Sequence, residues 1–140
     1  MDKFKQIKPM AIGLAFRNNK VLAHEGFDVK ANKYFYRIIG GGIEFLESSE
    51  QALIREFKEE ISADIKIVEK LEVVENVFEH QGKRGHEIMF VYRVEIPENQ
   101  IQEEYSITEG NIILTAKWLD KEDILNGKMT VYPEIIKKYI

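Results

Sequence analysis

The residues best suited to chemistry are glutamates. Within Gly40–Ala63, GGGIEFLESSEQALIREFKEEISA, Glu56, Glu59 and Glu60 are interleaved with Leu53, Ile54, Phe57 and Ile61 at helical spacing. At about 100° per residue the three carboxylates share a sector of roughly 100°. The four apolar residues occupy another sector, which should face a core. Ala52, one turn before Glu56, leaves space above the carboxylates. Like charges on one helical face repel each other, and a hard divalent cation reverses that sign. Mg2+ prefers oxygen ligands in octahedral geometry and binds through a few carboxylates plus substrate phosphates. Arg55 can tie down one carboxylate by a bidentate pair, with Glu47 at the helix entrance as its partner. Gly40-Gly41-Gly42 cannot be the interior of a stable strand or helix, and it lets backbone groups approach a ligand closely. Taken alone, an E-x-x-E-E helix is ordinarily a solvated face. The glycines, the capped start and Arg55 set this one apart.

The elements around this segment must hold it in place. Ser48 and Gln51 have the spacing of a capping box, which predicts a helix over about 49–61. Before it, Met10–Phe16 reads as a strand, Asn18-Asn19 as a turn and Val21–Gly26 as the returning strand. Lys33–Ile39 is β-rich, with Tyr34, Tyr36 and Ile39 at mixed phase. After it, Ile65–Phe78 and Glu87–Ile96 flank the turn-like Gln81–Gly85 and read as an antiparallel pair. Glu95–Asn111 is acidic, contains Pro97, and reads as a loop. Ile112–Leu119 is a further strand. Asp120 could cap a short helix through Leu125 that ends at Gly127, and Pro133 would open a final helix over Tyr132–Tyr139. Many strands with one strong central helix and C-terminal helices predict a mixed α/β fold of the α+β type, with an antiparallel-rich sheet.

The chain has 140 residues, the size of one domain over 1–140, and 44% of them are apolar. Its 24 acidic and 20 basic side chains give a net charge of −4, which argues against a nucleic-acid polymer as partner. Cysteine is absent, so disulfides, thiolate nucleophiles and cysteine-ligated zinc are excluded. The first nine residues carry Asp2, Lys3, Lys5 and Lys8 and no apolar core of signal-peptide length. The apolar run Met10–Phe16 is too short to span a bilayer. A soluble, cytoplasmic protein with no membrane partner is expected.

The glutamate segment resembles the Nudix box, G-x5-E-x7-R-E-U-x-E-E-x-G-U, where U is a bulky aliphatic residue. Gly41, Glu47, Arg55, Glu56, Glu59 and Glu60 stand at the required spacings. Ser62 replaces the last glycine, Phe57 stands at the first U and Ala63 at the second. The resemblance implies a Nudix fold, a mixed antiparallel-rich sheet sandwiched by helices. It also implies Mg2+-dependent hydrolysis, with Mn2+ able to substitute, of a diphosphate linkage in a small nucleotide-like molecule. A nucleoside monophosphate would be released together with pyrophosphate or a phosphorylated remainder. Glu59 and Glu60 would be metal ligands, Glu56 a ligand or the base that activates water, and the Gly40 carbonyl a further ligand. Arg55 and Glu47 would orient the glutamates. A second reading is a catalytically silent member of the family that senses a nucleotide. A homodimer is an open assembly state. The isomerase relatives that use a catalytic cysteine are excluded by composition.

Other candidates lie outside the box. Some relatives recruit a further glutamate as base, and Glu87, Glu103, Glu104 and Glu109 are the candidates here. Lys117 stands where some relatives carry that glutamate, just before Trp118. Arg17, Lys33 and Arg37 could meet phosphates, though each is more often a surface charge. Tyr34, Tyr36, Phe16 and Phe78 could stack a base, with core packing as the competing role. His86 is a substrate or structural group, whereas His24 and His80 are read as ordinary. Phe78-Glu79 and His80-Gln81 occupy the places where ADP-ribose and diadenosine polyphosphate hydrolases carry their proline and tyrosine markers. A nucleoside triphosphate or related diphosphate derivative is therefore the default substrate.

Overall fold

The computed structural model describes residues 5–80, 82–109 and 111–140, without the side chains of His80, Thr108 and Glu109. The expectations for Met1–Phe4, Gln81 and the Glu109 carboxylate lie outside these described residues. The chain begins with β1 (Ile7–Arg17) and β2 (Lys20–Asp28). They are joined at Asn18 and Asn19, whose φ values of 47° and 63° are those of a tight two-residue hairpin turn that asparagine tolerates. Next come β3 (Lys33–Ile38), β4 (Gly40–Gly42) and α1 (Ser49–Ile61). The long hairpin β5 (Lys66–His80) and β6 (Lys83–Glu95) follows, then β7 (Glu104–Glu109) and β8 (Ile112–Asp120). The chain closes with α2 (Lys121–Leu125), β9 (Val131–Tyr132) and a 3-10 turn at Glu134–Tyr139.

Among the described residues these strands form one mixed sheet in the order β5-β6-β1-β2-β3-β9, with β4 on β1, and β8 linking β2 to β7. Most neighbours are antiparallel; β1–β6 and β3–β9 are parallel. β1 is central and apolar on both faces, as a strand covered on both sides must be. Ala11 and Ala15 face a core built on Leu53, Phe57 and Ile61 of α1. Ile12 and Leu14 face a second core with Ile124 and Ile136 from the C-terminal segments. The sheet is thus sandwiched between α1 and the C-terminal segments.

Four expectations are corrected. The acidic stretch after β6 is not a loop throughout. Pro97 leads into a short 3-10 turn, and Glu104–Glu109 is a strand whose Tyr105 and Ile107 alternate inward. The glycine triplet is itself a three-residue strand, tolerated because it pairs with β1 alone over Met10–Ile12. The final helix is a 3-10 turn that starts after Pro133. Tyr132 is held extended beside Arg37 on β3, the conformation proline favours in the residue before it. On α1, Ile54 is 46% exposed while Ala52 is buried in the core, so the inward face is rotated toward the carboxylates.

Candidate active site

α1 starts where the sequence places it. Ser48 Oγ accepts the Gln51 N–H at 3.1 Å and Gln51 Oε1 accepts the Ser48 N–H at 2.9 Å. The helix ends at Ser62 in the left-handed conformation, φ 55°, so serine adopts the geometry that glycine usually supplies. Ala52, Glu56 and Glu60 lie four residues apart on the flank of α1 that turns toward β4. Ala52 is buried, and its small side chain lets the helix approach.

β4 can lie between β1 and α1 because it has no side chains. A Cβ on Gly40 would collide with the carbonyl of Ala11, and one on Gly41 would collide with the carboxylate of Glu56. That carboxylate therefore occupies a cradle lined by backbone. Arg55 organises the rest. Its Nε donates to Glu47 Oε2 at 2.8 Å and its Nη2 to Glu47 Oε1 at 3.0 Å. Nη2 also donates to the Gly42 carbonyl at 3.0 Å, and Nη1 to Glu56 Oε1 at 3.0 Å and Glu59 Oε2 at 3.3 Å. Glu47 further accepts the Glu44 N–H at 3.0 Å.

The electrostatics follow from these contacts. The Arg55 hydrogen bonds, aided by the Glu44 N–H, hold the Glu47 carboxyl down at about 2. Burial pushes Glu56 the other way, up from its ordinary value; Arg55 opposes that rise, and the charges of Glu59 and Glu47 add to it. One guanidinium thus serves an ionised partner and a carboxyl with a greater hold on its proton.

A cleft of about 510 Å³ opens beside this cradle, with Gly40, Gly41, Gly42, Glu56 and Glu60 on its wall. Arg37 and Glu87, named from the sequence, also line it, and Glu87 accepts from Asn76 Nδ2 at 3.4 Å. Glu59 does not line it; its side chain is 59% exposed and paired with Arg55. Arg17 is outside, where its Nη1 pairs with Glu98 at 2.9 Å. Tyr36 is buried on the opposite face of β3 from Arg37, in the second core, with the Lys117 ammonium 5.5 Å from its ring centre. Glu103 and Glu104 lie outside the cleft, Glu104 opposite Lys117 in the β7–β8 pair. Lys33, Tyr34 and Phe16 also lie off the cleft wall, whereas Phe78 is on it.

Sequence reasoning missed His24, Phe35, Tyr132 and Lys8, all on the wall. His24 is buried at 4% exposure and stands opposite Arg37 across β2 and β3. Phe35 shares the Arg37 face of β3, and a period-2 reading from Arg37 would have found it. Among the described residues no three acidic or histidine side chains converge tightly enough to enclose an ion unaided. The donor set still suits a hard divalent cation, because the Glu56 and Glu60 carboxylates and the backbone of Gly40–Gly42 share the wall with space for phosphate oxygens.

The family model for the NUDIX domain matches residues 7–139. The chain belongs to the Nudix family. Among curated proteins none matches it. Solved Nudix structures share its fold at low identity. A Nudix-family hydrolase from Clostridium perfringens is 24% identical, with 86% of each chain covered and a TM-score of 0.55. A MutT Nudix hydrolase from Burkholderia pseudomallei is 21% identical, covering 86% of this chain and 88% of that one, with a TM-score of 0.61. A Nudix hydrolase from Nitrosomonas europaea is 14% identical, covering 95% and 85%, with a TM-score of 0.67. As a Nudix pyrophosphohydrolase the protein acts on small nucleotide-type molecules, the family's general substrates, with a divalent metal as the family's general cofactor. No helix among its described residues is long and apolar enough to cross a membrane.

Proposed function

We propose that the protein hydrolyses a diphosphate linkage in a nucleoside triphosphate or nucleoside diphosphate derivative, with Mg2+ as cofactor and Mn2+ as substitute. The products are a nucleoside monophosphate and pyrophosphate or a phosphorylated remainder. The supporting observation is the cradle in which Gly41 and the Glu56 carboxylate meet beside Glu60, at the wall of a cleft that also carries Arg37 and Lys8. Glu56, Glu60 and the Gly40 carbonyl are the groups at the wall that would hold the ion, with Glu59, which lies off the wall beside Arg55, as the further ligand. When bound, it neutralises diphosphate oxygens and stabilises the leaving phosphate.

The chain's own residues do the rest. Glu47 fixes Arg55, and Arg55 fixes the glutamates against their mutual repulsion. Arg37 and Lys8 attract the phosphate charge to the cleft. Glu56, in its backbone cradle at the wall, is either a ligand of the ion or the base that takes the proton of the attacking water. Glu87, a further carboxylate on the wall, is the alternative base from outside the helix. The substrate is a small molecule rather than a nucleic-acid polymer, and the cysteine-free composition fits a reducing cytoplasm.

A screen of nucleoside triphosphates and nucleoside diphosphate derivatives, with Mg2+ or Mn2+ at mildly alkaline pH, tests this reading. Turnover that requires the metal, with a nucleoside monophosphate among the products, is the expected result. Nucleotide binding without turnover of any compound would favour the silent sensor instead.

A further inference from the structure

Glycine is disfavoured inside strands, and where it occurs it marks a bulge or a close approach. Two strand glycines here share one arrangement. Gly26 on β2 stands opposite Phe35 on β3, and Gly85 on β6 stands opposite Phe78 on β5. In each pair the phenyl ring lies across the glycine. A Cβ added to Gly26 would meet Phe35 Cζ at 2.5 Å, and one added to Gly85 would run into the ring of Phe78. Neither glycine has a positive φ, so the backbone does not demand glycine at either place. What each supplies is room for a ring to lie down.

Both rings line the cleft that holds the Glu56 cradle. They come from opposite flanks of the central strand, Phe78 from the β5–β6 side and Phe35 from the β2–β3 side. Phe35 is buttressed edge-on by Tyr132, centroids 6.0 Å apart at 68°. Phe78 keeps 37% of its surface exposed. The wall of the cleft therefore carries both charged side chains and aromatic rings. A ligand that fills both joins a polyphosphate to a flat aromatic ring.

We propose that Phe35 and Phe78 are the specificity-determining jaws that stack on the planar base of the substrate, and that Gly26 and Gly85 are positioning residues that seat the jaws. The proposal rests on the hydrolytic reading above for the substrate's phosphates. It adds that diphosphates lacking an aromatic ring are discriminated against.

The test is calorimetric binding of AMP, GMP, CMP and UMP, with ribose 5-phosphate as the base-free probe, to the wild type and to Phe35→Leu, Phe78→Leu, Gly26→Ala and Gly85→Ala. Melting curves check that each variant is folded, and Phe78→Leu and Gly85→Ala on the β5–β6 hairpin serve if the buried Gly26 site does not accept alanine. The wild type should bind at least one monophosphate more tightly than ribose 5-phosphate. Each folded variant should weaken that binding by about 10-fold, within the range of base–aromatic stacking, and leave ribose 5-phosphate unchanged. Gly85→Ala added to Phe78→Leu should have no further effect, because the glycine acts through the ring. Equal effects on both probes, no effect, or a wild type blind to the base would overturn the clamp, even if the screen finds turnover. Base-selective binding without any turnover would uphold the clamp and overturn the hydrolysis.

Discussion

Arg55 grips Glu47 through two parallel hydrogen bonds of 2.8 and 3.0 Å while its remaining nitrogen spans Glu56 and Glu59. Lysine carries the charge but not the planar fork. Arg55→Lys should therefore keep the fold and lower kcat by about 10- to 100-fold, the usual cost of losing a group that orients metal ligands. Steady-state kinetics across a Mg2+ titration would show it. Unchanged kcat at saturating metal would mean that the fork does not orient the site.

The same pair makes a pH prediction. The Glu47 carboxyl falls from its ordinary 4.5 to about 2 on folding. A depressed carboxylate contributes stability that is fully present above the unfolded value and is lost as pH falls through the folded one. The contribution therefore fades between 4.5 and about 2. Glu47→Gln should be less stable than the wild type at neutral pH and should lose less on acidification through that window. Urea unfolding at a series of pH values measures both slopes.

Two adjacent glycines should fail in different ways. The Cβ of Gly40→Ala would meet the Ala11 carbonyl, which is backbone and cannot move aside. Overpacking of this kind should cost about 3 kcal/mol, visible as a large fall in melting temperature. The Cβ of Gly41→Ala would meet the Glu56 carboxylate, the end of a flexible side chain. It should melt near the wild-type temperature but turn over far more slowly. Loss of stability in both, or in neither, would contradict the cradle geometry.

The helix carrying the site was legible because its signals are local. The capping box and the apolar spacing of Leu53, Phe57 and Ile61 lie within a few turns, and the structure keeps them. Its exact inward face was not, since that depends on β4. A strand of bare glycines lets the Ala52–Glu56–Glu60 row approach, which turns Ile54 outward. On β3 nearly every residue of Tyr34–Ile38 is apolar or aromatic, so hydropathy carries no phase and does not separate the buried Tyr36 from Phe35 on the cleft. β7 was hidden by its glutamates, although Tyr105 and Ile107 alternate inward. Arg17 and Arg37 look alike in sequence. Only the fold sets one against Glu98 and the other on the cleft.

Ser62 offers a stability gain. It holds φ 55° at the C-cap, a conformation that costs an L-residue about 1–2 kcal/mol and glycine almost none. Ser62→Gly should stabilise by about 0.5–1 kcal/mol after the added flexibility of the unfolded chain is counted. The melting temperature should rise by roughly 2–4 °C with kinetics unchanged. A fall would mean that the Ser62 side chain contributes something beyond its backbone.

The most direct measurement is the turnover of Glu59→Gln/Glu60→Gln in saturating Mg2+, on the best substrate from the screen, beside its melting curve. If these carboxylates hold the ion that makes the diphosphate labile, kcat should drop at least ~100-fold while the melting temperature stays near the wild-type value. A folded double variant with full activity would contradict that claim outright.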